Sequence, residues 1–425
     1  MIDRGKRLYE KNRHLIKNLS INVTYRVIII LITLFCGILM SRDLLEAKRG
    51  IFSLFISSLI LFNNLFNFGL NSSSAYYAKD APEKMRSFLN ANFFLSIVSS
   101  ILIFLILTIF SQYFKFQSTA LTIVFIVVYL LFSFQLIFRS FLMGQDESLY
   151  TQKIDFYIKI IYLAYILFLH FMGLMTVINV VLFLIFEYLA FSIYANKKLK
   201  ISIFPIHFDY KFFKDTFKIN SKMYLSSIMT IALLKGDQYL IKKFLGNYHV
   251  GLYSIGGIVI DNLGVITSMF CVMYLPKLIE EKNLILKLTK VKKVLFLIFG
   301  LSFGIALFFY FLSPYIIELF FKKTNFEASQ SLQILLIGFI FWSLYSLLGF
   351  LYLSIRVKKS AIIILFICLT LNMILNYTFI PTYGIRASAW ASSFCYFLLF
   401  ILSYIDLFFL KKKNFLKKSQ LDTHD

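Results

Sequence analysis

The sequence has few residues of the kinds that build metal sites and disulfide frameworks. Its four cysteines all fall in apolar segments, none belongs to a CxxC pair, and the five histidines are scattered along the 425 residues. Zinc sites and disulfide frameworks need such residues at characteristic spacings. The sequence therefore predicts no metal centre, no disulfide framework and no cofactor.

Long polar segments are also absent. The longest stretch between apolar runs, residues 196–219, has 24 residues, too few for a soluble catalytic domain. A polysaccharide polymerase, a ligase or a membrane glycosyltransferase typically carries a large outer loop or an acidic catalytic motif between its spans. The sequence therefore argues against an enzyme.

Apolar residues make up 59% of the chain, more than a soluble protein could bury. The apolar runs are near 20 residues, the length that crosses a bilayer as a helix, and they are too uniformly apolar for barrel strands. We therefore predict an all-α polytopic membrane protein with about twelve transmembrane helices. The predicted spans are residues 21–41, 51–70, 88–110, 119–140, 153–173, 174–195, 220–241, 250–276, 293–315, 331–354, 359–380 and 386–410.

Basic residues are unevenly distributed between the connections. When charges at the ends of spans are counted with the neighbouring connection, the side that carries the N-terminus and the even-numbered connections holds 32 of the 44 lysines and arginines, the other side holds 9, and three (Arg26, Lys159 and Lys235) lie deeper inside spans. Because basic residues collect on the cytoplasmic side, both termini are predicted to be cytoplasmic. This topology explains the net charge of +23 better than nucleic-acid binding does. The basic residues 411–418 are expected to contact membrane lipids.

The two halves of the chain are similar to each other. GIFSL (residues 50–54) opens the second span and GLYSI (residues 251–255) opens the eighth, at an offset of 201 residues. Six spans per half is an even number, so the halves would be parallel repeats. We expect two six-helix lobes, residues 1–219 and 220–425, related by pseudo-two-fold symmetry along the membrane normal.

Span 7 carries two charges at bilayer depth, Lys235 and Asp237. They are two residues apart, about 200° around a helix, so they point to opposite faces and cannot simply neutralise each other. A charge at this depth costs about 2.5–3.5 kcal/mol on insertion scales. At least one of the two therefore needs a partner on another helix, a water-filled cavity or a charged substrate.

Three segments resemble a single transporter family. Residues 371–396, LNMILNYTFIPTYGIRASAWASSFCY, are similar to an LN-x-x-LN-x-x-x-IP-x-YG-I motif. Residues 236–254, GDQYLIKKFLGNYHVGLYS, are similar to a D-x-x-x-[IL]-x-x-[FL]-x-G-x-x-x-VG-x-YS motif, and NFGL (residues 67–70) follows GIFSL as in that family. The family is the polysaccharide-transport branch of the multidrug/oligosaccharidyl-lipid/polysaccharide exporter superfamily. The chain departs from the pattern at Arg386 and Ser388, where the family more often has small or apolar residues.

The resemblance implies a MATE-like fold and a flippase. Its substrate would be a polyprenyl-pyrophosphate-linked oligosaccharide, moved from the cytoplasmic to the outer leaflet of a bacterial inner membrane for O-antigen or capsule-type polymers. Transport would use alternating access through a cationic central cavity, with a proton or sodium gradient as the candidate driving force. A polymerase and a chain-length regulator of the same pathway would be partners.

The charge of the central cavity distinguishes a flippase from the first alternative function, a multidrug or small-cation exporter. A pyrophosphate is anionic, so its cavity should hold Arg or Lys. A multidrug or small-cation exporter of the same fold would favour buried carboxylates. The second alternative is an enzyme of polysaccharide synthesis, and the short connections between the predicted spans argue against it.

Lys235 is the leading candidate for a contact with the pyrophosphate, and a structural ion pair with Asp261 is the alternative. Asp261 is itself a cavity and coupling-ion candidate, because it lies near the middle of span 8. Asp237 would bind a coupling ion, or else cap a helix or line the outer mouth. Glu187 in span 6 would carry a proton if burial favours its neutral form, or simply reach water from about two turns inside the cytoplasmic face.

Three further cations are candidates for substrate contact. Arg26 would bind phosphate, since span 1 lines the cavity in the family, and a snorkelling arginine is the alternative. Arg42 and Lys243 would attract the anionic head group at the outer mouth, or else sit in solvent. Asp155 and Lys159, spaced i, i+4, are expected to pair with each other as a structural contact.

Overall fold

A computed structural model describes residues 2–109, 118–202, 207–281, 284–321, 325–354 and 359–421. Within these ranges the chain is helical and contains no β-strand. The prediction of an all-α polytopic membrane protein is confirmed. The helices are α1 (Ile2–Phe66), α2 (Leu70–Asp80), α3 (Met85–Ile109), α4 (Thr119–Gly144), α5 (Ser148–Phe171), α6 (Val177–Leu199), α7 (Tyr210–Lys235), α8 (Asp237–Leu245), α9 (Asn247–Glu280), α10 (Leu284–Phe321), α11 (Phe326–Ser354), α12 (Lys359–Tyr383) and α13 (Ile385–Leu421).

Ten helical segments of the described chain are long and apolar enough to cross a membrane. The first, Ile21–Phe66, has 46 residues and contains both of the first two predicted spans. These spans are divided by a kink at Leu45, whose backbone has φ 62° and ψ 170°. The seventh predicted span is shared by α7 and α8. Neither is among the ten, because α7 is too polar and α8, with 9 residues, is too short. Each of the twelve predicted spans therefore has a helix.

The first connection differs from its prediction. Residues 42–50 are helical on both sides of Leu45, and helix α1 already begins at Ile2, in the polar segment before the first span. A turn at one residue with positive φ is enough to reverse or redirect a helix, so no loop is needed there. A positive φ is unusual for leucine, so the kink is held by its surroundings.

The chain forms two compact units. One comprises residues 1–44 and 58–224, and the other comprises residues 45–57 and 225–425. The first turns after the kink in α1 thus belong to the C-terminal unit. The two domains predicted as residues 1–219 and 220–425 stay a prediction.

Helices α1 and α9 cross at two glycines inside the C-terminal unit. A Cβ atom on Gly50 would overlap the carbonyl oxygen of Asn247, and a Cβ atom on Gly251 would overlap the carbonyl oxygen of Glu46. Glu46 and Asn247 are 201 residues apart, as are Gly50 and Gly251. The two contacts are therefore equivalent: shifting the pair Gly251–Glu46 by the repeat offset gives the pair Gly50–Asn247. Such an exchange of contacts is what a two-fold axis produces.

One of the buried clusters of the C-terminal unit lies between α7, α12 and α13. Leu233, Leu365, Cys368, Cys395 and Leu399 are buried together there. This cluster supports the side of α7 next to the charges of span 7.

Candidate functional site

The seventh span is divided at Gly236. Helix α7 ends at Lys235 and α8 begins at Asp237, and the backbone N–H of Gly236 still donates to the carbonyl of Ala232 at 2.8 Å. A Cβ atom on Gly236 would lie 2.7 Å from the methyl carbon of Met373 on α12. Glycine therefore lets this junction lie against α12.

Lys235 and Asp237 have separate partners, as predicted. Lys235 Nζ donates to Asp261 Oδ2 of α9 at 2.6 Å. The Lys235 side chain is 14% exposed, whereas that of Asp261 is 54% exposed. The ammonium is thus mostly enclosed and its carboxylate partner is accessible. This ion pair is the one that the sequence analysis gave as the alternative to a pyrophosphate contact for Lys235. It also brings two of the predicted site residues, Lys235 and Asp261, into direct contact.

Asp237 lies on the other side of the junction and is buried. Its Oδ2 accepts hydrogen bonds from Tyr253 Oη of α9 at 2.6 Å and from Ser392 Oγ of α13 at 3.3 Å. Its Oδ1 has no hydrogen-bond partner within the described residues. Asp237 also forms no ion pair in that part of the chain. Because buried carboxylates are normally paired, this oxygen is available to accept a further donor or a cation.

A chain of amides continues from Ser392. Asn372 Nδ2 donates to Ser392 Oγ at 3.4 Å, and Asn376 Nδ2 donates to Asn372 Oδ1 at 3.1 Å. Both asparagines are fully buried, and Asn376 Oδ1 lacks a partner within the described residues. Carboxylate and amide oxygens without donors are the ligands that hard cations prefer.

Gln238 ties this site to α1, a contact that the sequence analysis missed. Its Oε1 accepts from Ser57 Oγ at 2.8 Å and from Ser53 Oγ at 3.1 Å. Gln238 directly follows Asp237, so these bonds fix the first turn of α8 against the part of α1 that belongs to the same unit. The signal in the sequence was a polar glutamine directly after an aspartate inside a predicted membrane span.

The N-terminal unit contains a second charged group of residues, and here one prediction was wrong. Asp155 does not pair with Lys159. Arg139 of α4 donates to both carboxylate oxygens of Asp155, at 2.8 and 2.7 Å, and Lys159 donates to Glu187 at 2.8 and 3.0 Å. The planar guanidinium matches a carboxylate with two parallel bonds, which a lysine one turn away cannot do. Arg139 was overlooked because it lies at the inner end of span 4, where it counts as a connection charge.

Arg26 joins this group. It is partly buried and lies within electrostatic range of Asp155 and Arg139. Arg139 is also within electrostatic range of Glu187. With Lys159, the group contains three cations and two anions, so it carries one net positive charge.

The two remaining candidates lie apart from these groups. Lys243 is exposed on α8, and its ammonium is 5.0 Å from the ring centre of Tyr377 and 5.3 Å from that of Phe244. Arg42 is partly buried near the kink in α1. Of the predicted site residues, the structure thus brings together Lys235 with Asp261, and Arg26 with the network that holds Glu187.

Two family models match the chain. The model described as "Polysaccharide biosynthesis protein" matches residues 15–277, and the model described as "Lipid II flippase MurJ" matches residues 261–424. A Shigella flexneri protein named "Putative O-antigen transporter" is 27% identical over 199 residues, which cover 46% of this chain and 47% of that protein. The chain spans less than half the length of the curated relatives it matches.

Solved structures share the fold. The lipid II flippase MurJ in an inward closed conformation superposes with a TM-score of 0.71 at 17% identity, covering 92% of this chain and 87% of that one. An inward-facing multidrug resistance MATE family transporter of the MOP superfamily superposes with a TM-score of 0.68 at 14% identity, covering 94% of this chain and 99% of that one. At such low identity the likeness shows the fold alone, and the MATE-like fold predicted above is confirmed.

Proposed function

Because this chain belongs to the polysaccharide biosynthesis protein family, we propose that it flips a polyprenyl-pyrophosphate-linked oligosaccharide from the cytoplasmic to the outer leaflet of a bacterial plasma membrane. The chain is a membrane transporter of the flippase type and not an enzyme. The oligosaccharide, its pyrophosphate carrier and the use of alternating access are the proposal. We also propose cytoplasmic termini, and a polymerase and chain-length regulator as pathway partners.

The physical problem for such a protein is the head group. A hydrated oligosaccharide loses many hydrogen bonds in hydrocarbon, each worth several kcal/mol. A transporter can shelter the head group in a polar, cationic cavity while the isoprenoid tail stays in lipid. The anionic pyrophosphate then needs cations that can leave their resting partners.

The pair of Lys235 with Asp261 carries this proposal. The ammonium is mostly enclosed and its carboxylate partner is half exposed. An entering pyrophosphate could therefore replace Asp261 as the partner of Lys235, at a smaller desolvation cost than binding to a cation in free solution. Release of the phosphate would restore the original ion pair. Arg26, whose charged group carries one net positive charge, is the proposed second phosphate contact, and Arg42 and Lys243 would attract the head group at the outer mouth.

We assign the coupling ion to Asp237. The other two candidates, Asp261 and Glu187, each already have a lysine partner. Asp237 has hydroxyl partners and one unpartnered oxygen, and Asn376 Oδ1 lies on the same hydrogen-bonded chain. Such oxygens suit sodium, and a proton could satisfy the same carboxylate.

The test measures lipid-linked oligosaccharide on each leaflet, surface polymer and membrane protein level in the same cells. Lys235→Ala should abolish flipping while the protein still inserts, because alanine is easier to place in a membrane than lysine. Lys235→Arg should keep part of the activity, since it keeps the charge in a different shape. Lys242→Ala, on the neighbouring helix α8, is the control and should leave flipping unchanged.

A double variant separates the two roles of Lys235. If this residue only neutralises Asp261, each single change leaves an unpaired charge and lowers the protein level, and Lys235→Gln with Asp261→Asn recovers both level and flipping. If it binds pyrophosphate, the double variant recovers the level and stays inactive. Recovered export would reject the ligand role.

The second candidate function is export of small cations. The observation that favours it is Asp237, a buried carboxylate with an open oxygen. A deletion strain that becomes drug-sensitive and keeps its surface polymer, with no second flippase present, would support cation export and reject the flippase.

A further inference from the structure

A groove lies between α12 and α13 at the end where the chain turns from one helix into the other. Its walls are two stripes of residues spaced four apart, so each stripe stands on one helix face. The stripes are Leu375, Phe379 and Tyr383 on α12, and Arg386, Trp390 and Phe394 on α13. The floor is formed by two buried alanines, Ala387 and Ala391. Its volume of about 520 Å³ is that of a site for a small ligand.

The aromatic walls of this groove are accessible. Tyr383 is 63% exposed, Trp390 55%, Phe394 49% and Phe379 46%. The upper part carries Tyr383 and Trp390, which prefer the boundary between lipid head groups and hydrocarbon. Leu375 lies about 12 Å deeper than Tyr383, eight residues along α12, and Phe394 lies about 6 Å deeper than Trp390, four residues along α13, at 1.5 Å per residue. The groove therefore runs from an interfacial end to an apolar end.

A cation stands at the interfacial end. Arg386 is exposed and donates from Nη1 to Gln330 Oε1, a neutral acceptor, at 2.9 Å. The nearby carboxylate of Glu327 accepts from the backbone N–H of Ile385 at 3.3 Å. Within the described residues Arg386 has no ion pair, so donors of its five-donor guanidinium remain for an anion. Arg386 is also one of the two positions, with Ser388, at which the chain departs from the motif described above.

We propose that this groove binds an anionic glycerophospholipid, with its phosphate on Arg386 and part of one acyl chain between the aromatic walls. The order of groups along the groove, cation, interfacial aromatics, then hydrocarbon, matches the order along such a lipid. One guanidinium with a neutral neighbour suits a singly charged phosphodiester. A pyrophosphate carries more charge, which this end of the groove would leave largely unneutralised.

The chain's two tryptophans allow a direct test, because Trp390 lines the groove and Trp342 does not. Trp342→Phe leaves Trp390 as the only indole. This variant is placed in phosphatidylcholine nanodiscs that contain a small, equal fraction of brominated phosphatidylglycerol or brominated phosphatidylcholine, and fluorescence quenching is measured. We expect brominated phosphatidylglycerol to quench at about fivefold lower fraction, the effect of one basic residue near a membrane surface.

Two controls show that Arg386 and the groove are responsible. Arg386→Gln in the same background should abolish the preference, whereas Lys359→Gln, at the opposite end of α12, should keep it. In the reciprocal variant Trp390→Phe, quenching of Trp342 should show no preference. Ala391→Leu fills the floor and should reduce quenching by both lipids, while Gly304→Leu, which has open space around it, should not.

The remaining outcomes contradict the proposal. Equal quenching by both brominated lipids, absence of quenching, or a preference that survives Arg386→Gln would each overturn it. Displacement of the brominated lipid by unlabelled undecaprenyl phosphate, with no displacement by unlabelled phosphatidylglycerol, would assign the groove to an isoprenoid carrier instead. None of these results depends on flipping, so the flippase proposal can stand or fall separately.

Discussion

The crossing of α1 and α9 gives a prediction about two glycines that the sequence repeat relates. Gly50→Ala would place a methyl group on the carbonyl of Asn247, 2.9 Å from its carbon, and Gly251→Ala would place one 2.7 Å from the carbonyl carbon of Glu46. Each added methyl group would contact backbone atoms of the other helix, and backbone atoms cannot rotate out of the way as a side chain can. The two helices must therefore move apart at this point.

The expected cost can be set against the expected gain. Overpacking of this kind typically costs about 1–3 kcal/mol. Alanine in place of glycine inside a helix gains about 0.5–1 kcal/mol. Each single variant should therefore lose about 1–2 kcal/mol of stability. Gly257→Ala and Gly264→Ala, on the same helix α9 but with no atom within 4 Å of the added methyl group, should keep the gain and be neutral or stabilised.

A double variant tests whether the two contacts belong to one crossing. Once one alanine has separated the helices, the second should cost less, so Gly50→Ala with Gly251→Ala should lose less stability than the two single changes added together. The assay is thermal unfolding of the purified proteins in one detergent, together with membrane protein level. Losses that add fully, or single variants as stable as the two controls, would refute a shared two-fold crossing.

Two further variants test the charged groups. Arg139→Ala should destabilise the N-terminal unit by roughly 3 kcal/mol in thermal unfolding, the low end for a broken buried ion pair, because both side chains keep some exposure. The double variant Arg139→Ala with Asp155→Ala should recover most of this stability. If it does not, the broken ion pair is not the cause of the loss. If Asp237 binds sodium, sodium chloride at 100 times its dissociation constant should stabilise the protein by about 2.7 kcal/mol over choline chloride, and Asp237→Asn should abolish this difference. Equal sodium stabilisation in both proteins would remove Asp237 from the ion site.

The fold was predictable to a large extent because span length and apolar character depend on local sequence. The predictions that failed concern helix boundaries and kinks, which the length and apolar character of a run do not show. The kink at Leu45 replaces a connection by a single residue, and α1 starts well before the first apolar run. Span 7 was recognised from its charges, but its division at Gly236 depends on contact with α12.

Candidate site residues stood out in the sequence where the charge lay alone in an apolar run, and their roles in transport stay a prediction. Lys235, Asp237 and Asp261 are of this kind, and their separate partners follow from their positions around the helices. The network of the N-terminal unit was harder, because its charges lie near span ends, where solvent and lipid head groups are equally good explanations. Arg139 could only be assigned to Asp155 once α4 and α5 were known to be neighbours.

The repeat explains why the site of one half could not be copied onto the other. At the offset of 201 residues, Lys235, Asp237 and Asp261 correspond to Leu34, Cys36 and Ile60, which are uncharged. The glycine positions that fix the crossing are retained in both halves, while the charged positions beside them are not. Backbone geometry and charge have therefore diverged separately: in the C-terminal half Lys235 pairs with Asp261 between the seventh and eighth spans, and in the N-terminal half Arg139 pairs with Asp155, and Lys159 with Glu187, among α4, α5 and α6. Loss of Lys235 should therefore not be rescued by placing lysine at its counterpart position 34.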